Sequence, residues 1–243
     1  MITLAYTCNY ALKKRYPCRA SLIAPVIFFT IFAADILIPP LSIRYNTSVI
    51  SSLRLHGVSM AYGSRVLFSG IDAVVAPGQC LVVTGVNGAG KSSLLKIVAG
   101  LLRPEAGKVE FDGKWGCAAP DIQLYGELTG DENLSFFARL LAVSPAENAA
   151  LLADVGLPPK RGRDLVSAYS SGMRQRLKLA TSLLGSPPLL LWDEPTATLD
   201  TAGRAIVGGL LSRHLSGGGL AVVATNDPLE AENWGDLRLN IGI

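Results

Sequence analysis

The stretch that decides the fold is Gly85-Val86-Asn87-Gly88-Ala89-Gly90-Lys91-Ser92, which fits the P-loop pattern G-x-x-x-x-G-K-[ST] at every fixed position. The apolar residues 80–83 before it predict a short buried strand, and residues 93–99 after it have the apolar spacing of an amphipathic helix. Glycines let backbone N–H groups approach a phosphate closely, and the helix dipole favours negative charge. The unit therefore predicts a cradle for the phosphates of a nucleoside triphosphate.

Two side chains at the end of this loop supply what the backbone lacks. Lys91 places a positive charge near the β- and γ-phosphates, and the hydroxyl of Ser92 can ligate Mg²⁺. The alternative, a plain glycine turn, leaves the strand before the loop and the helix after it unexplained. We therefore expect the chain to bind a nucleoside triphosphate together with Mg²⁺.

The remainder of the chain from residue 52 alternates strand-like and helix-like segments. Continuous apolar runs at 189–192 and 220–224 are typical of strands buried on both faces of a parallel sheet. The other predicted segments are strands at 53–58, 65–68, 71–75 and 108–113, a helix at 203–215, and helical composition over 131–184 with breaks at 144–145 and 157–159. This order predicts an α/β fold: a P-loop NTPase core with a mostly parallel sheet, a small antiparallel β subdomain and an inserted helical subdomain at about 120–184.

A pair of acids, Asp193 and Glu194, follows the first of these apolar runs directly. A carboxylate at the C-terminal end of a parallel strand projects into the crevice where ligands bind. Asp193 can orient Mg²⁺ or its water ligands, and Glu194 can polarise a water for attack on the γ-phosphate. Two acids at a solvated strand end are the alternative, but a P-loop about a hundred residues upstream disfavours it. The pair predicts hydrolysis.

Residues 1–51 differ in kind from the rest of the chain. They hold five basic residues against one acidic residue, and a charge-free run of fifteen residues at 20–34 follows the basic stretch. That run is shorter than the ~20 residues needed to span a bilayer. Three interpretations stay open for this N-terminal extension: a start assigned too far upstream, a weak membrane anchor, or a genuine added helix. We place the nucleotide-binding domain at 52–243.

The composition of this domain bears on partner classes. Residues 52–243 are close to neutral in net charge, which gives no electrostatic reason to expect a nucleic-acid partner. The four cysteines of the chain have neither metal-ligand nor redox spacing.

Three segments together carry a resemblance to a known family. The P-loop, residues 189–196 (Leu-Leu-Leu-Trp-Asp-Glu-Pro-Thr) and residues 169–176 (Tyr-Ser-Ser-Gly-Met-Arg-Gln-Arg) resemble the ATP-binding cassette (ABC) family of transporter ATPases. Residues 124–129 and 132–134 look like the stretch that enters the helical subdomain in that family. The resemblance runs from about residue 52 to the C-terminus.

The resemblance implies a set of site residues. Tyr62 would stack on adenine, although a tyrosine seen alone is more often a half-buried strand residue. The implied nucleotide-binding set is Tyr62, Gly85, Val86, Asn87, Gly88, Ala89, Gly90, Lys91, Ser92 and Ser93, with Lys91 and Glu194 catalytic and Ser92 and Asp193 on Mg²⁺. Asp200 matches a loop that reaches across a dimer in the family.

The resemblance also implies an assembly. Two subunits, identical or different, would sandwich two ATP molecules, and Ser170, Ser171 and Gly172 of one chain would complete the site of the other. A separate integral-membrane permease would be the partner that ATP-driven closure of the dimer moves. The subunit would lie peripherally on the cytoplasmic face of the membrane. Short single-cassette chains of this kind resemble ATPases of bacterial exporters, including the haem-exporter type of cytochrome c maturation.

Three features depart from the family pattern. The signature segment usually reads Leu-Ser-Gly-Gly-Gln, whereas residues 169–173 read Tyr-Ser-Ser-Gly-Met. Pro120 stands where the family carries a glutamine that contacts Mg²⁺, and Gln123 replaces it only if the loop takes another path. Asn226 stands at the position of a switch histidine, and it can donate a hydrogen bond to the γ-phosphate but cannot carry a proton. Lys91 and Glu194 are intact, so we expect an active enzyme that is slowed by these losses.

Two other function classes stay in view. A soluble cassette ATPase acting on ribosomes or DNA is disfavoured because the chain has one P-loop, no sustained heptads and no basic body. A nucleotide-sensing subunit with weak hydrolysis is the other alternative. The sequence predicts no transported substrate.

Overall fold

The structure, a computed structural model, describes residues 51–242. Of the N-terminal extension predicted at 1–51, all but its last residue lies outside this range. The strands of the described part are β1 (Leu53–Tyr62), β2 (Arg65–Val75), β3 (Cys80–Thr84), β4 (Ala106–Glu110), β5 (Trp115–Ala118), β6 (Leu189–Asp193), β7 (Leu220–Ala224) and β8 (Leu237–Asn240). The α-helices are α1 (Lys91–Val98), α2 (Gly130–Leu140), α3 (Asn148–Asp154), α4 (Pro159–Gly162), α5 (Ser171–Ser182), α6 (Thr201–Ser216) and α7 (Pro228–Trp234). None of these helices is both long enough and apolar enough to cross a membrane.

A five-stranded parallel sheet forms the centre of the fold, in the order β5-β6-β7-β3-β8. Every residue of β6 and β7 is buried, as the continuous apolar runs predict. The edge strands β5 and β8 were not predicted. Each has only four residues and alternates in burial, so its apolar pattern is too short to stand out from a loop.

A smaller antiparallel sheet, in the order β2-β1-β4, lies beside this core. The strands predicted at 65–68 and 71–75 are one continuous strand, β2, which includes the intervening Ser69 and Gly70. The register between β1 and β2 shifts at several points, and Gly70 has φ 64° and donates its N–H to Ser59 Oγ at 2.8 Å. A bulge thus absorbs a residue pair that looks like a turn in the sequence.

The buried side chains form two clusters, one on each face of the parallel sheet. Along β6, Leu189 and Leu191 belong to the cluster under α1 and the antiparallel sheet. Leu190 and Trp192 belong to the other cluster, which includes apolar residues of α2, α3, α5 and α6. This alternation follows from the period-two geometry of a strand and shows that both faces are covered.

Helices fill most of the segment between residues 130 and 182. Helix α2 begins with a capping box in which Thr129 Oγ1 accepts from the Glu132 N–H at 3.2 Å and Glu132 Oε2 accepts from the Thr129 N–H at 2.8 Å. The C-terminal turn of α5 packs directly on β5: a Cβ on Gly116 would lie 1.8 Å from the Ser182 carbonyl oxygen. The fold class is therefore confirmed, while the boundaries 120–184 for a helical subdomain stay a prediction.

Candidate nucleotide site

The P-loop connects β3 to α1, and its glycines are required by close approaches. Gly85 has φ 152°, and a Cβ there would lie 2.1 Å from the backbone oxygen of Ile241. Gly90, the residue before α1, has φ 105°, and a Cβ would lie 3.0 Å from Leu67 Cβ. A side chain at either position would displace β2 or the C-terminal segment, so these glycines hold the loop against the fold.

Lys91 is buried, and its Nζ has four oxygen neighbours, of which the carbonyl of Val86, at 3.5 Å, is the most distant hydrogen-bond acceptor. Its Nζ donates to the Gly85 carbonyl at 2.8 Å and to Asn226 Oδ1 at 2.6 Å, and it lies 3.8 Å from Glu194 Oε1. The amide of Asn226 also donates to Asn87 Oδ1 at 2.7 Å. Asn226 therefore links the loop after β7 to both the middle and the end of the P-loop.

Ser92 and Asp193 form the second polar contact of the site. Ser92 Oγ donates to Asp193 Oδ2 at 2.5 Å, and only 5% of Asp193 is exposed. Burial raises the pKa of Asp193 above its ordinary value, while the Ser92 hydrogen bond and the Lys91 charge oppose that rise. A hydroxyl and a carboxylate are the hard oxygen donors that Mg²⁺ prefers. Residues 51–242 contain no cluster of three or more histidine, cysteine or acidic residues that could hold a metal ion.

Glu194 has an unusual backbone and an unsatisfied oxygen. Its φ is 49°, in the left-handed region that residues other than glycine rarely adopt. Its Oε1 is buried and has no hydrogen-bond partner. Burial raises the pKa of Glu194, whereas the Asn226 N–H and the Lys91 charge lower it. A carboxylate oxygen without a donor beside the P-loop can accept a hydrogen bond from a water.

A cleft of about 390 Å³ brings these groups together. Its lining is Tyr62, Arg65, Leu67, Asn87, Gly88, Gly90, Lys91, Ser92, Ser93, Pro120, Asp193 and Glu194. Gly85, Val86 and Ala89 are not part of the lining, and the side chain of Ala89 is buried in the core. The structure thus places most of the predicted nucleotide-binding residues, together with the acidic pair, around one space.

Arg65 is a residue of this cleft that the sequence interpretation missed. It is the register partner of Tyr62 across the β1–β2 turn, and its Nη2 donates to the Gly88 carbonyl at 3.1 Å. A cation three residues after a candidate stacking aromatic was the available signal. The half-exposed Tyr62 lines the same cleft.

Pro120 lines the cleft. Lys178 of α5 donates to the carbonyl oxygens of Pro120 at 2.7 Å and Ala119 at 3.1 Å. Gln123 is exposed and does not line the cleft, so it does not replace the missing glutamine here. The next residue, Asp121, pairs with Lys96 of α1 at 2.7 Å. Two lysines therefore attach this loop to α5 and to the P-loop helix.

The signature segment lies outside the cleft lining. Ser170 is the N-cap of α5, where its Oγ accepts from the Met173 N–H at 3.2 Å, and both Ser170 and Ser171 are exposed. Asp200 caps α6 by accepting from the Gly203 N–H at 2.8 Å, and it lies 3.4 Å from Arg176 of α5. Within one chain, the predicted trans-acting residues do not meet the P-loop.

Comparisons with known proteins agree on a family. A sequence profile described as ABC transporter matches residues 68–197. Proteins named cytochrome c biogenesis ATP-binding export protein CcmA are similar to this chain. The one from Rhodopseudomonas palustris (strain HaA2) is 40% identical over 187 residues, which cover 71% of this chain and 90% of that protein. The one from Rhizobium meliloti (strain 1021) is 38% identical over 196 residues, covering 73% and 92%. The daunorubicin resistance ATP-binding protein DrrA3 of Streptomyces coeruleorubidus is 38% identical over 196 residues, covering 74% and 61%.

Solved structures give the same result. One described as the ATP binding subunit of an ABC transporter superposes with a TM-score of 0.71 at 25% identity, covering 79% of this chain and 86% of that one. The fold is also that of a dimeric ATP-binding cassette in a post-hydrolysis state with ADP and Pi, at a TM-score of 0.71, 22% identity, and coverage of 78% and 94%. Neither the relatives nor the structures favour the non-transport alternative. The chain belongs to the ABC transporter family and is the ATP-hydrolysing subunit of a transporter.

Proposed function

We propose that ATP binds in the cleft with its phosphates on the P-loop and its adenine against Tyr62. The observation that carries this proposal is that Tyr62, residues of the P-loop, Asp193 and Glu194 all line the same cleft. Backbone N–H groups at the start of α1 and the charge of Lys91 favour the triphosphate there. Val86 and Ala89 contribute only through their backbone, because their side chains do not line the cleft.

Ser92 and Asp193 are the residues that would hold Mg²⁺. Their hydroxyl and carboxylate oxygens lie together and are hard donors, so the donor set fits this ion. With only two protein donors, the remaining ligands would come from the phosphates and from water, as is usual for Mg²⁺. When bound, the ion supplies charge neutralisation on the phosphate oxygens.

The chain's own contribution to hydrolysis is positioning and charge. Glu194 Oε1 accepts a hydrogen bond from the attacking water and orients it, because no protein donor occupies that oxygen. Lys91 stabilises the negative charge that develops on the transferred phosphoryl group. The amide of Asn226 can donate to the γ-phosphate but cannot accept a proton. Because Pro120 offers no side-chain donor, we expect slow turnover.

A second subunit would complete each site. Ser170, Ser171 and Gly172 form the exposed N-terminus of the twelve-residue helix α5, where a hydroxyl and free N–H groups can bind the γ-phosphate. They are absent from the cleft lining of their own chain, so in this proposal they serve the site of the partner. Asp200, exposed beside α5, would lie at the same interface. Identical and different subunits both fit this arrangement.

We propose further that the dimer drives an integral-membrane permease from the cytoplasmic face of the membrane, in the direction of export. The support is the names of the relatives, several of which are called ATP-binding export proteins. ATP binding would close the dimer and hydrolysis would release it, which shifts the population of two conformations. The relatives' names refer both to cytochrome c biogenesis and to daunorubicin resistance, so they do not agree on a substrate.

The test is phosphate release from ATP by the purified full chain in Mg²⁺ buffer. We expect Glu194→Gln to lower turnover by at least ~100-fold, because a missing general base typically costs that much. ATP binding should be retained in this variant. Glu232→Gln is the matched control, since Glu232 is an exposed acid of α7 away from the cleft. Equal turnover in the wild type and in Glu194→Gln would contradict the proposal.

A further inference from the structure

Glu230, on α7, is a buried acid that the proposed reaction does not use. Only 6% of this residue is exposed. Both carboxylate oxygens accept hydroxyl hydrogen bonds: Oε1 from Thr196 and Oε2 from Thr225, the latter at 2.6 Å. Arg204 Nη1 lies 3.4 Å from Oε1 and offsets the negative charge. A buried carboxylate with donors on both oxygens is a strong, directional link.

The two threonines belong to the two loops that carry catalytic candidates. Thr196 is two residues after Glu194, in the turn that follows β6. Thr225 immediately precedes Asn226, and its own N–H donates to the Val83 carbonyl of β3 at 3.1 Å. One carboxylate therefore joins the turn of Glu194 to the loop of Asn226 and, through it, to the strand before the P-loop.

The turn of Glu194 needs such a link because its backbone is strained. A non-glycine residue at φ 49° persists only where surrounding contacts fix it. On one side, the Glu194 N–H donates to the Ala224 carbonyl of β7 at 2.9 Å. On another, Gln175 Nε2 of α5 donates to the Pro195 carbonyl at 3.0 Å. The carboxylate of Glu230 is the third anchor, and the only one of the three supplied by α7.

We propose that Glu230 is a positioning residue for hydrolysis, which holds the carboxylate of Glu194 in register with Lys91 and Asn226 through Thr196 and Thr225. This inference rests on the proposed role of Glu194. Glu230 does not line the cleft, so it acts on the rate without contacting the nucleotide. Displacing a reacting group by about 1 Å can lower a rate ~100-fold. No residue of α7 lines the cleft, so we expect the contacts that bind ATP to change less than the rate.

The experiment measures kcat and the ATP dissociation constant of full-chain variants. We expect Glu230→Ala to lower kcat by ~10- to 100-fold and to change the dissociation constant by less than ~3-fold. Thr196→Val, a volume-matched change that removes one anchor, should lower kcat in the same direction. Adding Thr196→Val to Glu230→Ala should cause little further loss, because both changes break the same link. Glu232→Ala, at an exposed position of the same helix, is the control.

The conservative variant separates positioning from charge. In Glu230→Gln the amide oxygen can still accept from Thr225, whose hydroxyl already accepts the Asp227 N–H at 3.0 Å, and the amide nitrogen can donate to Thr196. We therefore expect kcat within ~3-fold of the wild type in this variant.

Two results would overturn the inference. One is an unchanged kcat in both Glu230→Ala and Thr196→Val. The other is a parallel loss of kcat and ATP affinity, which would mean that Glu230 supports the cleft as a whole. Measuring Glu194→Gln alongside separates the two levels. If Glu194→Gln loses turnover while Glu230→Ala keeps it, only the positioning role of Glu230 is refuted. If both variants keep normal turnover, the proposed role of Glu194 as the base is refuted as well.

Discussion

Replacing Asn226 by aspartate tests how the P-loop lysine is held. In the structure, Asn226 Oδ1 accepts from Lys91 Nζ at 2.6 Å, and its amide nitrogen donates to Asn87 Oδ1 at 2.7 Å. Aspartate keeps the shape and turns the first contact into an ion pair. The Asn87 amide can rotate to donate to the new oxygen, so both contacts survive and the net change is one negative charge.

The size of the effect follows from these distances. A hydrogen bond between charged groups contributes about 1.5–3 kcal/mol, and Lys91 must exchange this partner for phosphate when ATP binds. A phosphate charge ~4 Å from the new carboxylate would add up to ~4 kcal/mol of repulsion at an effective dielectric constant of 20. Asn226 is exposed, so solvent and salt screen much of this repulsion. We expect ATP affinity to fall ~10- to 100-fold, which corresponds to about 1.4–2.8 kcal/mol.

The assay is calorimetric titration of the full chain with ATP and with ADP at low and high salt. In Asn226→Asp, ATP should lose more affinity than ADP because ATP carries the γ-phosphate. High salt should reduce the difference in ATP affinity between this variant and the wild type. Asn226→Ala is the comparison variant, since it removes both hydrogen bonds, which Asn226→Asp keeps, and adds no charge. An equal loss in Asn226→Ala and Asn226→Asp would refute the electrostatic reasoning, and so would wild-type affinity in Asn226→Asp.

Two further predictions use the pKa shifts. Burial raises the pKa of Asp193, so the folded state binds more protons than the unfolded chain, and stability is lost as pH rises from 3.8 through the raised pKa. Asp193→Asn should therefore raise the melting temperature by a few degrees in metal-free buffer at pH 7.5 while weakening Mg²⁺-dependent ATP binding; a lower melting temperature would argue against it. Burial also raises the pKa of the Cys80 and Cys117 thiols to about 12. Peptide mass spectrometry after iodoacetamide treatment at pH 8 should find both unmodified until the chain is unfolded, and labelling at the rate of a free thiol would contradict this.

The parts of the fold that the sequence predicts are those fixed by contiguous residues. The P-loop unit is predictable from the sequence because its strand, glycines and helix lie within about twenty residues. Its glycines adopt backbone conformations that other residues rarely adopt, such as φ 105° at Gly90. Strands β6 and β7 are equally readable, since burial on both faces leaves an unbroken apolar run. Four-residue edge strands and a bulged strand lack such signals, because their register depends on neighbours far along the chain.

The candidate site was predictable as a set of residues but not as a set of contacts. Motif spacing selected Lys91, Asp193 and Glu194, and the structure lines one cleft with all three. Motif spacing could not select Arg65, because Arg65 belongs to no motif and is distinguished only by its position across the turn from Tyr62. The hydrogen bond between Lys91 and Asn226 joins residues 135 positions apart, so no local pattern reports it.

The contacts change what two of the three departures from the family pattern mean. By residue type alone, Asn226 is the loss of a histidine. In the structure its amide accepts from Lys91 and donates to Asn87 at the same time. A neutral imidazole also has one donor and one acceptor, but in a different geometry. Pro120 stands where the family has a glutamine, yet its carbonyl accepts a hydrogen bond from Lys178 of α5 and so fixes the loop to that helix. The strained turn of Glu194 is held from three sides by groups outside its own strand. Because catalysis of phosphoryl transfer rests on positioning and charge, these links bear on the rate as directly as the identity of any one missing side chain.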